Sequence, residues 1–84
     1  MRVIKFKLNE GINTIPSNHV LEPKWIEWQG DSFQVWCQEF TQLPTKHPLE
    51  VYLAVTGETV PPDYPNYIGT ATTPERTFVV HLFK

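Results

Sequence analysis

Cys37, His19, His47 and His81 are the side chains of this 84-residue chain best able to bind a metal or act as a nucleophile and base. No two of them have the HxxxH or CxxC spacing that lets one element present a pair of ligands to zinc. No metal and no cofactor are therefore expected. His81 lies within an apolar segment, where a lone histidine commonly packs and donates one hydrogen bond to backbone. Cys37 alternates in register with Phe33 and Val35, so it is expected in the core as a small hydrophobe rather than as a nucleophile.

Catalysis by paired carboxylates needs two acids converging across one cleft. Glu27, Asp31, Glu39, Glu50, Glu58, Asp63 and Glu75 are scattered and are expected to be solvated. Gly57 and Gly69 precede no helix and belong to no GxxxxGK or GxGxxG pattern. They are read as strand ends and points of close backbone approach rather than as a phosphate cradle. Trp25, Trp28 and Trp36 could stack on nucleic-acid bases, but Lys24 is the only cation near them in sequence. These observations make an enzyme unexpected and favour core or protein-contact roles for the aromatics.

The elements that must position these residues follow period two. Ile4, Phe6 and Leu8 alternate with Val3, Lys5 and Lys7, and a short Ile12 to Ile15 strand ends at Pro16. Trp25, Ile26 and Trp28 are followed by Gln29-Gly30-Asp31 and then by Phe33, Val35 and Cys37, a hairpin whose first arm Pro23 marks as edge or bent. Glu50 to Thr56, Tyr67 to Thr72 and Thr77 to Phe83 complete the set. A short helical turn is allowed only near Glu39 to Leu43. Pro61, Pro62 and Pro65 make residues 57–66 the longest loop. The fold class is all-β: a small antiparallel sandwich or partly open barrel of six to seven short strands, in one domain spanning residues 1–84.

Several strands are apolar on both faces: Trp36 behind Phe33 and Val35, Tyr52 behind Val51 and Leu53, Val79 and Phe83 behind Phe78 and Val80. Something must cover the second faces, either curled sheet edges or a subunit or partner interface built on Trp36, Tyr52 and Phe83. Between Pro62 and Pro65, a turn projects Asp63 and Tyr64 outward as a contact site, or Tyr64 folds back over the sheet edge.

Net charge is −2 and the pI about 5.8. Nucleic acid is an unexpected partner, since phosphate backbones demand clustered Lys and Arg. No stretch approaches the roughly 20 apolar residues of a membrane span, and the charged amino-terminal segment is unlike a signal peptide, so a cytosolic protein is expected.

Val55-Thr56-Gly57 with Val60-Pro61, Tyr67-Ile68-Gly69-Thr70-Ala71 and Phe78-Val79-Val80-His81-Leu82-Phe83, together with the Gln29-Gly30 and Trp36 hairpin, resemble a family of short phage- and prophage-encoded proteins without an established activity. The resemblance implies a small accessory protein in the host cytoplasm of an infected bacterium. The expected function is non-enzymatic binding of a host or phage protein, with counter-defence as one role, through the aromatics and the Pro-rich loop. Homo-oligomerisation is expected. The alternatives are a nucleotide-sequestering protein, with a pocket between subunits lined by Trp36, Tyr64, Tyr67 and His81, and a minor virion component.

Overall fold

Period-two patterning becomes seven strands in the computed structural model, which describes residues 1–84: β1 Arg2–Lys7, β2 Gly11–Ile15, β3 His19–Gln29, β4 Ser32–Pro44, β5 Leu49–Val55, β6 Tyr67–Thr72 and β7 Val79–Phe83. All pairings are antiparallel. Strands β1-β4-β3 form one sheet and β2-β5-β7-β6 the other. A strand with one apolar face must bury it against a second layer, and the two sheets do so as a sandwich. The thinnest principal extent, 15 Å, is that of two twisted layers about 10 Å apart. No helix forms, and none is therefore long and apolar enough to cross a membrane.

The hairpin between β3 and β4 closes with Gly30 and Asp31, because Gln29 pairs with Ser32. Gly30 has φ 67° while Asp31 stays at negative φ, the arrangement of a type II′ turn, which favours glycine at its first central position. Proline supplies no donor to a ladder, and the register shifts between Pro23 and Trp25. Strand β3 accordingly lies at a sheet edge and bends there. A second irregularity lies between Tyr67 and Gly69 in β6. Gly69 lets Ile26 of the other sheet come close, since a Cβ at this position would sit 3.1 Å from Ile26 Cγ2.

The core is the inner faces: Ile26, Phe33, Val35 and Cys37 from one sheet against Leu49, Val51, Leu53, Val80 and Leu82 from the other. Asn13, also buried, ties the corner where the chain passes between sheets. Its Oδ1 accepts from the Asn9 N–H at 2.9 Å, and its Nδ2 donates to the carbonyls of Asn9 at 2.8 Å and Gly11 at 3.1 Å.

Three expectations are corrected. Residues 39–43 are strand, not a helical turn, because β4 continues to Pro44 with Phe40 opposite Val20. Glu39 is buried rather than solvated: it faces inward and accepts from Arg2 Nε at 2.8 Å, with His19 Nδ1 at 4.0 Å. The last strand starts at Val79, two residues later than the alternation suggests, because the Thr73 N–H donates to the Phe78 carbonyl at 3.1 Å and the Phe78 N–H to Thr73 Oγ1 at 3.3 Å, closing the connection from β6.

Cys37 is a free, buried thiol. Burial, reinforced by the nearby Glu22 carboxylate and opposed by Lys84, pushes its pKa from 9.0 up to about 11. Since the folded-state value is raised, the stability contribution is complete below pH 9 and is lost as pH rises towards 11. Two pKa units correspond to about 2–3 kcal/mol. Alkaline denaturation followed by urea midpoints should therefore show a fall above pH 9 that is reduced in Cys37→Ala, a variant that costs about 1–2 kcal/mol at neutral pH. Equal alkaline sensitivity in both proteins would refute this assignment.

Candidate functional site

The outward positions of the four-stranded sheet carry a cluster of aromatic side chains. Register places Ile12 opposite Tyr52, Tyr52 opposite Phe83, and Phe83 opposite Tyr67, so one apolar row crosses β2, β5, β7 and β6. Tyr52 and Phe83 are half-buried, while the ends of the row, Ile12 at 62% and Tyr67 at 58%, are exposed. The Tyr67 and Phe83 rings meet edge-on with centroids 5.7 Å apart. On a solvated sheet face such a row is unusual, because the second face of an antiparallel sheet is ordinarily polar.

The loop of residues 57–66 is fastened beside this row. The Tyr52 hydroxyl donates to Glu58 Oε2 at 2.8 Å, and the Val55 N–H donates to Glu58 Oε1 at 3.0 Å. One carboxylate thus clamps the start of the loop to β5. At the other end Asn66 and Lys84 exchange backbone hydrogen bonds of 3.2 and 2.8 Å. Tyr64 is only 8% exposed and stacks obliquely on Tyr52, with centroids 5.6 Å apart. It does not project as a contact residue; it folds back over the sheet, because burying its ring on Tyr52 removes more apolar surface from water than projection would. Asp63 remains exposed beside it.

The acids of this region act on both tyrosines. The hydrogen bond to Glu58, followed by partial burial and the same carboxylate's charge, holds the Tyr52 phenol above its ordinary pKa. Burial first, then the charges of Glu50 and Asp63, does the same to Tyr64. No Lys or Arg occupies an outward position on the four strands: those positions are Ile12 and Thr14, Glu50, Tyr52 and Ala54, Tyr67, Thr70 and Thr72, and Val79, His81 and Phe83. The face is apolar at its middle and acidic on the β5 side.

His81 stands next to the row. Thr56 Oγ1 donates to the Val79 carbonyl at 3.2 Å and so accepts from His81 Nε2 at 2.8 Å; His81 Nδ1 in turn accepts from Thr70 Oγ1 at 2.9 Å. Tyr67 and Thr70 hydroxyls are also hydrogen-bonded. This directional chain assigns the Nε2–H tautomer to the neutral imidazole. Both ring nitrogens are occupied by threonine hydroxyls, an arrangement that orients the ring. His19 and His47 lie elsewhere, at the start of β3 and in the connection from β4 to β5.

Of the residues singled out in the sequence, Tyr52, Tyr64, Tyr67, His81 and Phe83 share this face, and Asp63 borders it. Trp36 does not. It lies on the outer face of the opposite sheet, in a row with Lys5 and Trp25, with Lys5 Nζ 5.7 Å from its ring centroid. No pocket within one subunit joins Trp36 to Tyr64, Tyr67 and His81, and Lys24 is not the only cation near the tryptophans. Trp28 turns inward, edge-on to Phe33 at 5.0 Å, so the three tryptophans form no common platform. Ile12, Thr56, Glu58 and Thr70 belong to this face although the sequence did not mark them as contact residues. The outward phase of Ile12 within β2 was a signal, but its neighbours depend on strand order.

No curated protein and no solved structure matches the chain. All of residues 1–84 match the family described as Domain of unknown function (DUF7352), and the chain belongs to that family.

Proposed function

We propose that this chain is a non-enzymatic accessory protein that binds a partner protein on the outer face of the four-stranded sheet. The row Ile12, Tyr52, Phe83 and Tyr67 carries this reading. Interface hot spots are rich in aromatics set in an apolar centre with a polar rim. Here the rim is Glu50, Glu58, Asp63, Thr70 and His81. With acids and no Lys or Arg at outward strand positions, the complementary partner surface is apolar with basic residues around it. The resemblance to phage-encoded proteins supports a partner among host or phage proteins in the cytoplasm of an infected cell, with interference in host defence as one role. A nucleotide-sequestering role has less support, because phosphate recognition draws on Arg and Lys that this face lacks.

A photo-crosslinking amino acid at Tyr67, compared with the same group at Trp36, tests the reading in cells that produce the protein. The expected result is one discrete heterologous adduct from position 67 and none from position 36. An adduct of twice the 9.8 kDa chain mass would identify a second copy as the occupant and overturn the heterologous partner. Adducts from position 36 alone would move the site to the other sheet.

A further inference from the structure

One end of the sandwich is open, and its opening has a chemistry distinct from the binding face above. We infer that this end is a binding pocket for an alkylammonium cation. A cavity of about 360 Å³ lies between the sheets where the β3–β4 hairpin turn meets the connection from β6 to β7. Its walls include Trp28, Phe33 and Phe78. Trp28 and Phe33 pack edge-on at 76° with centroids 5.0 Å apart and form one corner of the wall, and Phe78 lines it from the other sheet's connection. Phe78 is 46% exposed, so its ring is not consumed by core packing.

Two carboxylates, Glu10 and Asp31, complete the lining, which contains no Lys or Arg. Lys7 stands beside one of them, its Nζ 3.7 Å from Asp31 Oδ1 with both side chains largely in solvent. Such an ion pair is worth little and yields to a competing cation. Aromatic faces attract a cation through their quadrupoles, and a methylated ammonium also gains from apolar contact because it is weakly hydrated. An anion would meet the two carboxylates. A neutral apolar guest would gain nothing from them. The combination of the Trp28 and Phe78 rings with two acids selects an alkylammonium group, carried either by a free quaternary amine or by a methylated lysine of a polypeptide.

The test is NMR titration of the intact chain, following the Trp28 indole N–H with those of Trp25 and Trp36 as internal controls. Choline and its uncharged carbon isostere 3,3-dimethylbutan-1-ol are compared. Choline should shift the Trp28 signal saturably and bind roughly tenfold or more tightly than the isostere, the scale of a cation–π contribution in a partly desolvated site. Phe78→Ala should weaken choline by about tenfold, and the isosteric pair Glu10→Gln with Asp31→Asn should weaken it while reducing its salt dependence. A trimethyllysine peptide binding more tightly than choline would assign the cation to a polypeptide, and the reverse order to a free amine. An isostere binding as well as choline would overturn the inference, as would an unmoved Trp28 signal at saturating cation.

Discussion

Leu82→Ala should remove about 3–4 kcal/mol of stability, the upper part of the range for deleting a buried leucine. Leu82 is 0% exposed, on an inner strand between Leu53 of β5 and Gly69 of β6. Strands hydrogen-bonded on both sides cannot move inward to fill the void. Gly69 has no side chain to do so. A domain of this size is expected to hold roughly 4–12 kcal/mol in total, so the variant would retain only a fraction of it. Thermal melting should fall by roughly 15–25 °C, whereas Leu43→Ala, at an exposed position near the end of β4, should stay within about 0.5 kcal/mol of the parent. A loss below about 1 kcal/mol at Leu82 would contradict a close-packed interior between the sheets.

Charge substitution at Phe83 should have the largest effect on partner binding. Phe83 is central in the outer row, flanked by Tyr52 and Tyr67, and half-exposed, so the backbone pairing of β7 survives its replacement. Removing a central aromatic anchor commonly costs 2 kcal/mol or more, about thirtyfold in affinity. Phe83→Lys and Phe83→Glu both remove the ring, yet they separate two descriptions of the partner. If the partner is basic, the lysine adds repulsion and the glutamate attraction, so Phe83→Lys should bind more weakly than Phe83→Glu, with the gap narrowing at high salt. The crosslinked partner, once identified, supplies the ligand for this titration, with melting temperature as the check on folding. The opposite order would require an acidic partner, and unchanged binding by both variants would place the contact away from Phe83.

Alternation alone determined much of this protein. Phe33, Val35 and Cys37 on one side of β4, the Gly30 turn and the span of β6 were legible because these are local properties: side chains in a strand alternate faces, and a two-residue turn with glycine at positive φ fits the twist of the hairpin. The same alternation marked Trp36, Tyr52, Val79 and Phe83 as surplus apolar groups on a second face. It could not show that Tyr52, Phe83 and Tyr67 form one row while Trp36 lies on the other side of the molecule, because that follows from the order β2-β5-β7-β6 and from which strand joins which sheet. Strand order depends on contacts between residues distant in sequence. Likewise, alternation puts Glu39 on the inward face with Cys37, but the Arg2 guanidinium that pairs with it there lies 37 residues away, and Tyr64 folds inward where Tyr52 offers a ring to cover. Local pattern sets which face a side chain takes; the meeting of distant strands decides what that face meets, since burial and charge pairing are energies of neighbours that chain order does not specify.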